Sequence, residues 1–162
     1  ISGADEIGIV SSQIVYFHFQ AQLLGSGEWN SFAELNANRR YADGVVFESD
    51  TYIDTTGGAY GAFADAFAAR FHRRPTKNTL FGYDTADMVL SLIGAGAGTR
   101  ETLTAALGGV RDYRGFHSRI SLGADRVNGA LTVLRYEKDE IVRVADVDGS
   151  GGEGAHEGAP GR

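Results

Sequence analysis

The chain has 162 residues, a net charge of −6, 43% hydrophobic residues and no cysteine. That length suits one α/β domain with its own core, and the lack of cysteine excludes disulfide scaffolds, thiolate zinc centres and cysteine nucleophiles. The acidic balance, with no basic cluster longer than His72-Arg73-Arg74, argues against a nucleic-acid partner, and no stretch reaches the roughly 18 apolar residues of a membrane span.

The first residues, Ile1-Ser2-Gly3-Ala4-Asp5-Glu6, carry no basic run and no initiator Met. They read as the start of a piece cut from a longer chain, so a missing signal peptide says nothing about secretion. A first helix is expected over residues 5–20. Ile7, Val10, Ile14 and Phe17 recur at spacings of three and four, and Asp5 and Glu6 stand where a helix N-terminus favours negative charge. Residues 22–25 read as a short buried strand, with a loop over 26–30. Ser31 with Glu34 is a capping-box pattern opening a short helix. Residues 44–47 read as a second buried strand, followed by a polar loop over 50–58.

The clearest helix covers residues 59–71, with Tyr60, Phe63, Phe67 and Phe71 on one face and Pro75 as its stop. Asp84 is expected to cap a further helix that buries Met88, Val89, Leu92 and Ile93. Gly94, Gly96 and Gly98 end it, and Thr99 caps a short helix with Leu103 and Leu107 inward. Residues 119–122, 130–137 and 140–147 read as strands, the last two joined near Lys138-Asp139 as a hairpin. Residues 148–162, Gly-rich and without a large apolar side chain, are expected to be a disordered tail. Short buried strands alternating with helices imply a three-layer α/β/α open parallel sheet ending in a β-hairpin. Ligands of such sheets bind beyond the carboxyl ends of the strands, so the loops after Leu24 and Phe47 are the places to look.

The run Gln22-Leu23-Leu24-Gly25-Ser26-Gly27-Glu28-Trp29-Asn30 resembles the segment after a second-lobe strand in receptors for branched-chain amino acids. Tyr41-Ala42-Asp43-Gly44-Val45-Val46-Phe47 resembles the strand that follows it there. Residues 63–71 with Arg73-Arg74-Pro75 are similar to the helix after that. Tyr83-Asp84-Thr85-Ala86 resembles a recurrent Tyr-Asp-Ala helix start, and Arg114-Gly115-Phe116 through Asp125-Arg126 resembles the closing stretch. Over residues 1–147 the chain is thus identified as similar to the C-terminal part of a type I periplasmic-binding-protein domain. The resemblance implies a two-lobed clamp whose chain crosses between lobes three times. Residues 1–75 and roughly 119–147 would belong to the second lobe and hinge, and 76–118 to the return into the first lobe.

It also implies an extracytoplasmic receptor, not an enzyme, that closes on an amino acid or similar small polar ligand and delivers it to the permease of an ABC transporter. The compartment would be the periplasm or cell envelope, with a lipid anchor supplied by an N-terminus absent here. The alternative is an envelope lipoprotein of the same fold that regulates cell-wall synthases. For an amino-acid ligand the carboxylate seeks backbone N–H groups or hydroxyls, and the ammonium an acid or an aromatic face. That points to Ser26, Gly27, Glu28 and Trp29 in the loop after the first strand. Tyr52 lies after the second strand, Tyr83 near the hinge, and Ser2 with Gly3 at the end of the truncated strand before the first helix.

No metal or cofactor is expected. His18, His72, His117 and His156 form no i, i+4 pair, and Asp50, Asp54 and Asp65 lack calcium-loop spacing. Gly25-Ser26-Gly27 fits neither a nucleophile elbow nor a phosphate loop.

Overall fold

The computed structural model describes residues 3–123 and 125–149. Ser2 and most of the expected tail, 150–162, lie outside the described residues. A 3-10 turn at Ala4–Glu6 leads into α1, Ile7–Tyr16. Ile7 is fully buried, and Ser11 returns its hydroxyl to the Ile7 carbonyl at 2.5 Å. The helix stops four residues short of the expected end, because His18 turns to φ 54° and swings Phe17 outward. β1 is only Leu24–Gly25, and it pairs in parallel with β2, Val46–Ser49, with Leu24 opposite Val46 and Gly25 opposite Phe47. Leu24 is 74% exposed, so β1 is an edge strand rather than the buried one expected. Between them lie α2, Phe32–Ala37, and α3, Arg39–Ala42. Ser31 holds the N-cap position of α2 but its side chain makes no capping bond, so the expected box with Glu34 does not form.

α4, Gly58–Phe71, ends because His72 takes a left-handed conformation, three residues before Pro75. Its rings stack along one side, with Phe63 to Phe67 at 6.0 Å and Phe67 to Phe71 at 4.5 Å. α5, Lys77–Gly94, starts well before the expected position. Thr76 is its cap, accepting from the Thr79 N–H, and the helix runs on through Gly82 without a break. Asp84 is therefore not a cap. It lies mid-helix on the buried stripe Leu80, Asp84, Met88, with Val89 and Leu92 half-buried and Ile93 exposed. Thr99 does cap α6, Arg100–Gly108, which packs on α5.

β3, Tyr113–Arg114, and β4, Arg119–Ile120, form a small antiparallel sheet of their own. β5, Ala130–Glu137, and β6, Glu140–Asp148, form the expected hairpin. Both loop residues, Lys138 and Asp139, are left-handed (φ 52° and 63°), which suits a two-residue turn that follows the strand twist. β6 runs one residue into the expected tail, where Asp148 pairs with Ala130.

The main sheet has the order β1-β2-β5-β6. It is parallel between β1 and β2 and antiparallel where β5 joins β2 and β6. The α/β class, the side-by-side placement of the first two strands and the closing hairpin agree with the sequence reading. Helices α1–α3 cover one face, where Ile7, Trp29, Leu35, Ala42, Val45, Phe47, Leu134 and Tyr136 form the core. The alternation of β5, buried at Ala130, Thr132, Leu134 and Tyr136, is the period-two signature of a strand with one face inward.

Candidate functional site

The carboxyl ends of β1 and β2 lie next to each other, so the loops that leave them form one surface. Asn30 Nδ2 donates to Ser49 Oγ and to the Thr51 carbonyl, both at 2.9 Å. The Gly27 N–H reaches Glu48 Oε1 at 3.2 Å. Glu28, in the 3-10 turn Gly27–Trp29, is exposed and makes no hydrogen bond or ion pair among the described residues. Ser26 Oγ is buried and has no partner there. Trp29 stands apart from this polar rim. It is 3% exposed and belongs to the core, and Gly25 lets it close over β1, since a Cβ at Gly25 would sit 2.6 Å from the indole. Gly3 is half-buried, its N–H on Glu6 Oε2 at the start of the 3-10 turn.

Beside this rim is a cavity of about 460 Å³. The loop after β2, the first turn of α4, the middle of α5, residues 113–119 and the hairpin enclose it. Of the residues singled out from sequence, Tyr52 and Tyr83 line it, whereas Ser26, Gly27, Glu28 and Trp29 do not. Phe116 sits among the aromatic rings, 6.4 Å from Tyr60, 5.0 Å from Phe63 and 5.7 Å from Tyr83.

Residues that the sequence reading did not assign to the site shape this wall. The carboxylate of Asp84, 3% exposed, accepts the backbone N–H of Phe116 at 2.9 Å and of His117 at 2.7 Å. Gly115 allows that approach, because a Cβ there would stand 2.2 Å from Asp84 Oδ2. The Tyr113 hydroxyl donates to the Asp84 carbonyl and to Asp87 Oδ2, and burial together with the Asp87 carboxylate pushes its pKa up. On the opposite side Arg119 grips Asp112 through Nε and Nη2, which holds the Asp112 carboxyl below its usual range; Arg114 adds to this. Three guanidiniums, of Arg114, Arg119 and Arg143, stand 3.6–3.7 Å from Asp146 Oδ2. The cavity thus combines aromatic faces, phenol hydroxyls and both signs of charge, the chemistry that grips a small polar molecule. One signal for Asp84 was legible: an acid in register with Leu80 and Met88 on an apolar stripe.

No group of three His, Asp or Glu suited to a metal ion occurs among the described residues. No helix among them is long and apolar enough to cross a membrane.

A model of the family described as "Periplasmic binding protein" matches residues 18–140. No curated protein matches the chain. Among solved structures, a Rhodospirillum rubrum protein named for a branched-chain amino acid ABC transporter is similar with a TM-score of 0.68 and 18% identity, over 88% of this chain and 42% of that one. The leucine-binding protein LivK of Thermotoga maritima gives 0.58 at 16% identity, over 91% and 43%. The substrate-binding protein LivJ of Streptococcus pneumoniae, solved with isoleucine, gives 0.53 at 18% identity, over 91% and 43%. The chain spans about two-fifths of the length of these structures, which share its fold. With the α/β sheet, the closing hairpin and a family match over three-quarters of the sequence, the chain belongs to the periplasmic binding protein family.

Proposed function

We propose that this chain is part of an extracytoplasmic solute-binding receptor, held in the periplasm or at the cell envelope. It closes on an amino acid or similar small polar ligand and hands it to the permease of an ABC transporter. The observation that carries this reading is the joined rim at the carboxyl ends of β1 and β2, in a chain of this family. Asn30 ties the two loops together, and the unpaired Glu28 carboxylate and Ser26 hydroxyl stand on the same stretch. In open α/β sheets that crevice is where ligands bind. The named ligands of the similar structures, leucine and isoleucine, support a free amino acid as the ligand class.

In this reading Glu28 takes the ammonium, and Ser26, Gly27 and Gly3 lie near the carboxylate. Tyr52 and Tyr83 close on the side chain, and Trp29 stiffens the loop from beneath. The sheet with α1–α4 is one lobe, α5 and α6 belong to the other, and residues 113–120 cross between them. Ligand favours the closed arrangement through contacts that exist only there.

The test is calorimetry on the full-length protein with branched-chain and other amino acids. Glu28→Ala should weaken binding by about 1–3 kcal/mol, the cost of leaving a charged partner unpaired. No heat and no thermal shift from any amino acid, together with capture of a cell-wall synthase, would replace the receptor reading with that of an interaction regulator.

A further inference from the structure

Asp84 is the one buried acid on the wall of the cavity, and ligand contact does not account for it. Both its oxygens are directed at consecutive backbone N–H groups, those of Phe116 and His117. One turn further along α5, Asp87 takes the Tyr113 hydroxyl, so α5 holds residues 113–117 at both ends. The other side of the same segment is tied to the loop after β2. The Tyr52 N–H donates to the His117 carbonyl at 3.2 Å, and His117 Nε2 lies 3.5 Å from Thr51 Oγ1. Segment 113–117 is therefore one joint between α5 and the sheet-bearing half, and the ring of Phe116 stands at that joint against Tyr60, Phe63 and Tyr83, with Phe63 and Tyr83 also in contact.

We propose that Asp84 is a positioning residue that locks residues 115–117 onto α5, so that helix and Phe116 ring turn as one body when the receptor closes. The reasoning is geometric. Two charge-assisted hydrogen bonds from one rigid carboxylate to adjacent peptide groups fix both the distance and the orientation of the segment. Gly115 has no Cβ to hold the two apart, where one would stand 2.2 Å from Asp84 Oδ2. Bending on closure then falls to other connections, such as the stretch between α4 and α5, where His72 is already left-handed. The proposal rests on the receptor reading for the closure, but the lock itself does not.

The experiment uses the full-length protein and Asp84→Asn, which keeps the shape but turns one acceptor into a donor facing an N–H. Amide exchange at Phe116 and His117 should speed up at least tenfold (about 1.4 kcal/mol) against unchanged exchange in β5. Leucine, as probe, should bind about tenfold more weakly, with a smaller ligand-induced compaction in small-angle scattering. If Asp84→Asn does not fold, Gly115→Ala, which pushes the backbone off the acid, must give the same pattern. Unchanged exchange at the two amides overturns the lock. Faster exchange with unchanged leucine affinity and compaction overturns its part in closure. A wild-type protein that binds no amino acid counts against the receptor reading alone, and the exchange result still decides the lock.

Discussion

At the scale of the residue, a buried carboxylate is tolerated only where its partners replace water. Asp84 meets that condition with two backbone donors, which makes its removal costly. Asp84→Ala strands both N–H groups, and a loss of about 2–4 kcal/mol is expected in denaturant unfolding; a loss under 0.5 kcal/mol would show those groups were never dependent on the acid. His117 is a second case. Burial holds its pKa below the ordinary value, with Lys77 adding to the effect and Asp84 and Asp50 opposing it. The unfolded chain takes up the proton at about pH 6.5 while the folded one does not. The stability this group contributes is therefore present above that pH and is lost as the pH falls through the folded value. His117→Gln should flatten the decline of stability with falling pH in that window, as followed by urea midpoints. Parallel profiles for the two proteins would refute the assignment.

At the scale of the element, the ends are decided by single backbone states. His18 and His72 stop α1 and α4 by entering the left-handed region, where a side chain with a Cβ is strained. The hairpin carries the same strain at Lys138 and Asp139. The Lys138 N–H is held by Asp43 Oδ1 at 3.0 Å, and Asp139 Oδ1 receives the Tyr136 hydroxyl, so the turn is kept by its neighbours. Lys138→Asn, a residue better suited to φ above zero and with the same N–H, should raise the melting temperature by about 1–2 °C, for a gain of about 0.5 kcal/mol. A lower melting point would mean that the Lys138 side chain matters more than its backbone.

At the scale of the molecule, the pieces are joined by the aromatic cluster of Tyr60, Phe63, Tyr83 and Phe116 and by polar contacts, apart from the core beneath α1–α3. The core beneath α1–α3 ends at the sheet, whereas the small β3–β4 sheet reaches β6 through Asp112, Asp146 and three arginines. Asp112, Arg114 and Arg143 are about half exposed while Arg119 and Asp146 are more sheltered, and ion pairs at such partly exposed sites are worth little each and are screened by salt. Asp146→Asn should therefore cost no more than about 1 kcal/mol at low ionic strength, with the difference fading near 1 M salt. A larger, salt-independent loss in calorimetry would place that carboxylate in a drier setting than its surroundings give it.

Period and composition were enough to give the α/β class, the paired strands after Gln22 and Gly44, the aromatic face of α4, the Thr99 cap and the hairpin at Lys138-Asp139. These depend on local pattern, on the alternation of apolar side chains and on residues that stop or start an element. The start of α5 was misread because Asp84 has the chemistry of a cap, and only packing shows that its carboxylate faces Phe116 and His117, 32 and 33 residues away. The burial of Trp29, the exposure of Leu24 and the placing of Tyr52 and Tyr83 on one cavity have the same origin. They depend on which distant segments the sheet brings together, and hydrogen bonds and contacts of that range leave no periodic trace along the chain.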